Sequence, residues 1–269
     1  MKKIITIFGL ILCLLAVCVG GVAAADAQTD KKFGLTGYLT MDTYSSYVDK
    51  VSGETLHNGP VIYPNLMIAA EPLGIYLSLG AYHNFKSFNK HSANSLGYAI
   101  GLEKEIGIIN LDVGYGYSDI KNSKGDVHYF YSTIEIREVI DKLTPYLSLE
   151  FDLPVKKEIL EGGFMYRVGG KYPVKIAGQS IDIDLSLAGH DGIYGYRPEK
   201  ISSARLTLST LFKLGHLELA PELNFQKRLG YSHENGGIAK DKIYGGLKMA
   251  LLFGISEYVN DFETLPVRI

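Results

Sequence analysis

The side chains with most chemistry to offer are carboxylates at even spacing, Asp182 with Asp184 and Glu218 with Glu222. At that period both members of a pair project from one face of an extended strand. Acids arranged so form a cation-attracting stripe if their strands lie close together, or a neutral polar wall if Arg167, Arg205 or Lys248 pair with them. Spacing leaves both options open. Catalytic constellations are harder to find. The seven histidines, His57, His83, His91, His128, His190, His216 and His233, show no metal-type spacing and have no cysteine beside them. No pattern predicts a nucleophile, a base and an orienting group on one face. Gly162-Gly163, Gly169-Gly170 and Gly236-Gly237 lack the strand-to-helix context of a phosphate loop and read as strand bends and turns. The chain is therefore not read as an enzyme, and neither cofactor nor metal is implied.

The elements that would carry these carboxylates are strands. Ile109, Leu111, Val113, Tyr115 and Tyr117 alternate with Asn110, Asp112, Gly114, Gly116 and Ser118. The same period two recurs at Ile181 to Leu187 and at Leu217 to Phe225, and a helical period fits none of them. Such segments fall at 33 to 44, 61 to 71, 74 to 86, 94 to 104, 108 to 119 and 127 to 139. Six more fall at 144 to 153, 158 to 168, 174 to 189, 201 to 214, 216 to 229 and 241 to 254. Most match the roughly 9 to 11 residues that a tilted strand needs to cross a bilayer. Tight turns are expected at Pro72-Leu73-Gly74, Glu105-Ile106-Gly107, Ile140-Asp141-Lys142, Gly169-Gly170-Lys171 and Leu214-Gly215-His216. Longer loops at 45 to 60, 87 to 93, 120 to 126, 190 to 200 and 230 to 240, and a shorter one at Pro154 to Lys157, alternate with them. Short turns opposite long loops mark an outer-membrane barrel.

The ends fit that reading. Lys2 and Lys3, an apolar run from Ile4 to Val19 and Val22-Ala23-Ala24-Ala25 form an export signal, residues 1–25, with cleavage expected after Ala25. Both cysteines, Cys13 and Cys18, lie inside it, so the mature chain has no disulfide. A lipid-attachment box at Cys18 would want a smaller residue than Val17 before it. The barrel should occupy 26–256, and a tail at 257–269 breaks the alternation. The 27 basic and 29 acidic residues become slightly more acidic once Lys2 and Lys3 leave, which argues against nucleic acid as a partner. Nineteen tyrosines and no tryptophan suggest that Tyr98, Tyr115, Tyr117 and Tyr166 supply the aromatic girdle at the membrane interface.

The fold class is thus all-β, a transmembrane antiparallel up-and-down barrel of about twelve strands, with its apolar face toward outer-membrane lipid. Parity then assigns Asp112, Glu135, Arg137, Glu150, Asp152, Arg167, Asp182, Asp184, Arg205, Glu218, Glu222 and Lys248 to the lumen. The implied function is passive diffusion of small polar solutes or ions through a bacterial outer-membrane channel, with loop 45 to 60 narrowing its mouth. Its rivals are a closed barrel whose long loops bind a ligand or partner, a lipid-acting barrel enzyme, and a soluble secreted sandwich. Oligomeric state is left open.

Thr43-Tyr44-Ser45-Ser46-Tyr47-Val48 and Asn58-Gly59-Pro60-Val61-Ile62-Tyr63-Pro64-Asn65-Leu66 resemble the TorF-like outer-membrane porins. Leu143 to Asp152 and Leu217 to Asn224 look like that family's later strands. The resemblance implies a small outer-membrane barrel with a porin's role.

Overall fold

A computed structural model describes residues 34–254 except 49–54, 58, 72, 85–93, 122–125, 138–141, 156–161, 177, 193–197 and 231–240. The export signal, the cleavage point, the tail and much of the long loops lie outside the described residues. All described elements are strands. They are β1 (Gly34–Tyr44), β2 (Tyr47–Val48), β3 (Thr55–His57), β4 (Val61–Glu71), β5 (Ile75–Asn84), β6 (Asn94–Ile106), β7 (Ile109–Lys121) and β8 (Val127–Ile136). They continue with β9 (Thr144–Pro154), β10 (Phe164–Ile176), β11 (Gln179–His190), β12 (Glu199–Ser209), β13 (Phe212–Leu214), β14 (Leu217–Arg228) and β15 (Lys242–Gly254).

Twelve long strands form one antiparallel sheet in the order β1, β4 to β12, β14, β15. It closes on itself because β1 pairs with β15 from Thr36↔Gly254 to Tyr44↔Gly246. The short β13 extends the β14 edge near its turn, and β2 and β3 make a separate hairpin. Closure gives every wall strand two neighbours and leaves no open edge. Following partners round the wall returns to β1 displaced by about sixteen residues, a tilt of roughly 45° and a backbone radius of about 12 Å.

Alternation separates the two faces as the residue types demand. Leu77 (60% exposed), Leu185 (63%) and Ile243 (72%) stand on the convex face with Leu39, Ile100 and Val168. Thr36, Thr40, Asn65, Asp152, Arg167, Ser186 and Asn224 are buried on the concave one.

One strand sits elsewhere than its composition suggests. The segment expected at 158 to 168 is β10, Phe164–Ile176, and Gly169-Gly170-Lys171 lies within it rather than in a turn. Gly169 is a wall residue, since a Cβ there would meet the Leu185 carbonyl, Ser186 and the Tyr146 ring. The turn falls instead beside Gly178, whose φ of 85° suits glycine. The segment expected at 201 to 214 is likewise divided, into β12 and β13.

Candidate functional site

The concave face is identified by contacts that skip strands. Tyr76 on β5 donates to Asp112 Oδ1 on β7 at 2.7 Å, and its hydroxyl lies 2.5 Å from that of Tyr131 on β8. Tyr146 on β9 donates to both oxygens of Asp184 on β11, at 2.9 and 3.2 Å. Lys171 on β10 reaches Glu135 on β8 at 2.8 Å, and Arg205 on β12 reaches the Tyr244 hydroxyl on β15 at 3.3 Å. Side chains two or three strands apart converge only inside a closed barrel; outside they splay.

The carboxylates and cations named from the sequence divide as follows. Asp112, Glu135, Glu150, Asp152, Arg167, Asp182, Asp184, Arg205, Glu218, Glu222 and Lys248 all lie within wall strands. Arg167 Nη1 donates to Ser186 Oγ at 2.8 Å. Lys248 pairs with Glu222 at 2.7 Å, and Lys213 on β13 approaches Glu218 at 3.5 Å. Ser209 on β12 is the register partner of both Asp182 and Glu222, so the two acidic strands are separated by one strand. Arg137 stands apart: it follows the end of β8, in the turn region, and pairs with Glu105 at the rim.

Several inner-wall residues carry no signal in the sequence pattern. Lys171 was hidden by its assignment to a turn. Asp42, Glu199 and Arg228 gave no alternation stronger than their neighbours; Arg228 pairs with Glu199 at 2.6 Å. The inward tyrosines, Tyr38, Tyr44, Tyr63, Tyr76, Tyr82, Tyr129, Tyr131, Tyr146 and Tyr244, were indistinguishable by type from the outward ones. On the convex face Tyr98, Tyr115 and Tyr117 join His128 and Phe130 in a run of ring contacts at 5.1 to 5.9 Å. Tyr166 donates to the Lys200 carbonyl. Tyr98, Tyr117 and Tyr166 lie toward the long-loop end of their strands, and Tyr115 stands at the middle of β7.

Among the histidines, His128 is 2.7 Å from the Tyr115 hydroxyl, and His190 Nδ1 accepts from the Gly192 amide at 3.3 Å. His91 and His233 lie outside the described residues. No group of three or more acidic or histidine side chains among the described residues is arranged to hold a metal.

At the long-loop mouth the hairpin β2–β3 turns inward. Val48 is only 5% exposed and packs with Tyr44, Val61, Tyr82 and Tyr244, with Tyr63 beside them. Its base is tied by the Ser45 amide to the Gly245 carbonyl (2.9 Å) and the Gly245 amide to Ser45 Oγ (3.1 Å).

No family model matches the sequence, and no curated protein matches it. Solved structures do. A KdgM porin aligns over 81% of this chain and 99% of its own, at 9% identity and a TM-score of 0.51. The KdgM porin in complex with disordered oligogalacturonate gives the same coverage and score at 10% identity. The chain has the fold of these porins. A NanC porin agrees, over 79% of this chain and 98% of its own, at 11% identity and a TM-score of 0.50. At such identities the likeness concerns the barrel and not the residues inside it.

Proposed function

We propose that the protein is an outer-membrane porin-like channel for passive diffusion of small polar solutes or ions, with a preference for cations. The observation that carries this reading is the inner wall: a charged and hydroxyl-bearing surface enclosed by a belt of exposed Leu, Ile and Val. A soluble protein hides such a belt, whereas a lipid-facing barrel requires it. Twelve strands make a barrel wider than the eight-strand barrels that side chains fill and narrower than the large porins. Acids outnumber bases on the inner wall, since Asp42, Glu103, Asp112, Glu135, Glu150, Asp152, Asp182, Asp184, Glu199, Glu218 and Glu222 face Arg167, Lys171, Lys175, Arg205, Arg228, Lys242 and Lys248. The candidate pore lining is therefore the set named from the sequence, with Arg137 at its rim and with Asp42, Glu103, Lys171, Lys175, Glu199, Arg228 and Lys242 added. Membership of the TorF-like porins is part of this proposal, resting on the segments around Tyr44 and Tyr63 quoted above.

Single-channel recording of the refolded protein in a planar bilayer under a potassium chloride gradient tests it. Stepwise currents with a cation-selective reversal potential are expected, and neutralising Asp182, Asp184, Glu218 and Glu222 together should reduce that selectivity. A folded, inserted protein that passes no current overturns the channel reading in favour of a barrel whose loops bind a partner.

A further inference from the structure

Three carboxylates on the inner wall share a setting that ordinary alternation does not require. Asp112 on β7, Asp184 on β11 and Asp42 on β1 are each four strands apart round the twelve-strand wall, so they divide the circumference into thirds. Each accepts a tyrosine hydroxyl: Asp112 from Tyr76 at 2.7 Å, Asp184 from Tyr146 at 2.9 Å, and Asp42 from Tyr44 at 3.4 Å. Each stands beside a strand bearing a glycine against which that tyrosine lies. Gly101, Gly169 and Gly246 are the direct register partners of Tyr76, Tyr146 and Tyr44. A Cβ at any of the three would meet the partner ring. The glycine lets the ring lie flat along the wall instead of standing into the lumen. Flat on the wall, the Tyr76 and Tyr146 hydroxyls pass over one whole strand to reach the next. From the tilt, the three carboxylates lie within roughly 6 Å of one another along the barrel axis.

We infer that Tyr76, Tyr146 and Tyr44 are positioning residues that hold a three-point girdle of carboxylates, Asp112, Asp184 and Asp42, and that this girdle sets the ion preference of the lumen. This rests on the channel reading. A hydroxyl donated to a carboxylate removes its rotamer freedom, so the carboxylate stays at the wall. With a backbone radius of about 12 Å, carboxylates on three sides act on a passing ion through their field and not as direct ligands, and Lys248 and Lys171, the register partners of Asp42 and Asp184, offset part of that field. The solute class that fits is a hydrated inorganic cation or a small organic ammonium, in preference to an anion of equal size.

The test is the reversal potential of single channels under a potassium chloride gradient, for the wild type, Asp112→Asn/Asp184→Asn, Tyr76→Phe/Tyr146→Phe and the outward-facing control Tyr98→Phe. The Phe variants keep the rings and the glycine contacts and lose only the hydroxyls. Heat-modifiable migration on gels checks that each barrel is closed. The potassium-to-chloride permeability ratio is expected to fall about three-fold or more in the Asn variant and about two-fold in the Phe variant, with Tyr98→Phe unchanged. A ratio that falls with Asn but not with Phe removes the positioning role. A ratio unmoved by either removes the girdle while leaving the channel standing. A folded wild type that carries no current overturns the channel and the girdle together.

Discussion

Lys171 and Glu135 show how charge is stored on the inner wall. Their ion pair crosses β9 at 2.8 Å, with Glu135 nearly covered at 6% side-chain exposure and Lys171 at 36%. The Lys171 ammonium also lies 5.4 Å from the centre of the Tyr146 ring, which ties this pair to the Tyr146–Asp184 contact. Removing one partner strands the other in a poorly hydrated place. Glu135→Gln is expected to destabilise the barrel by about 1 to 3 kcal/mol in urea unfolding from lipid vesicles, less than a fully buried pair because solvent screens Lys171. An unchanged unfolding midpoint would show the pair to be adventitious. None of this pairing was readable beforehand. Alternation tells which side of a strand a residue occupies, but which residue two strands away it meets depends on two successive registers and a tilt.

Among the strands, β7 with its clean alternation was readable and β10 was not. For β7 the alternation of Asn110, Asp112, Gly114 and Gly116 with Leu111, Val113, Tyr115 and Tyr117 matches one unbroken strand, Ile109–Lys121. In β10 the pair Gly169-Gly170 imitated a turn because glycine serves both turns and close side-chain packing, and only the Tyr146 ring resting there distinguishes the two uses. The hairpin β2–β3 was foreseen as a long loop narrowing the mouth, without its strands. Among the described residues its inward seat is made by Val48, packed against four inward residues of the wall. Replacing Val48 with Asp should unseat the hairpin and enlarge the mouth, which single-channel recording would register as a higher unit conductance. A conductance equal to that of the wild type would mean that the hairpin does not border the path.

The barrel as a body is an apolar belt round a polar interior, and the belt sets its tolerance to change. Leu185 stands midway along β11 at 63% exposure, with Leu187 and Val168 exposed beside it. Leu185→Arg is expected to cost about 2 to 4 kcal/mol of stability in vesicles, as a charge on the lipid face near the bilayer midplane does. The same change in a water-facing wall would cost little, so a loss below about 0.5 kcal/mol would argue against a lipid-facing belt.

The seam between β1 and β15 has a further consequence, for the time course of assembly. Thr43 Oγ1 donates to the Leu247 carbonyl at 3.3 Å across a separation of 204 residues. Every other long strand pair joins segments near in sequence and can zip up locally. This one pair cannot form until the last strand has been delivered, so until then both terminal strands present unsatisfied amides and carbonyls. Any cellular catalyst of its assembly therefore has to shield two raw edges at once, and release waits on the arrival of β15.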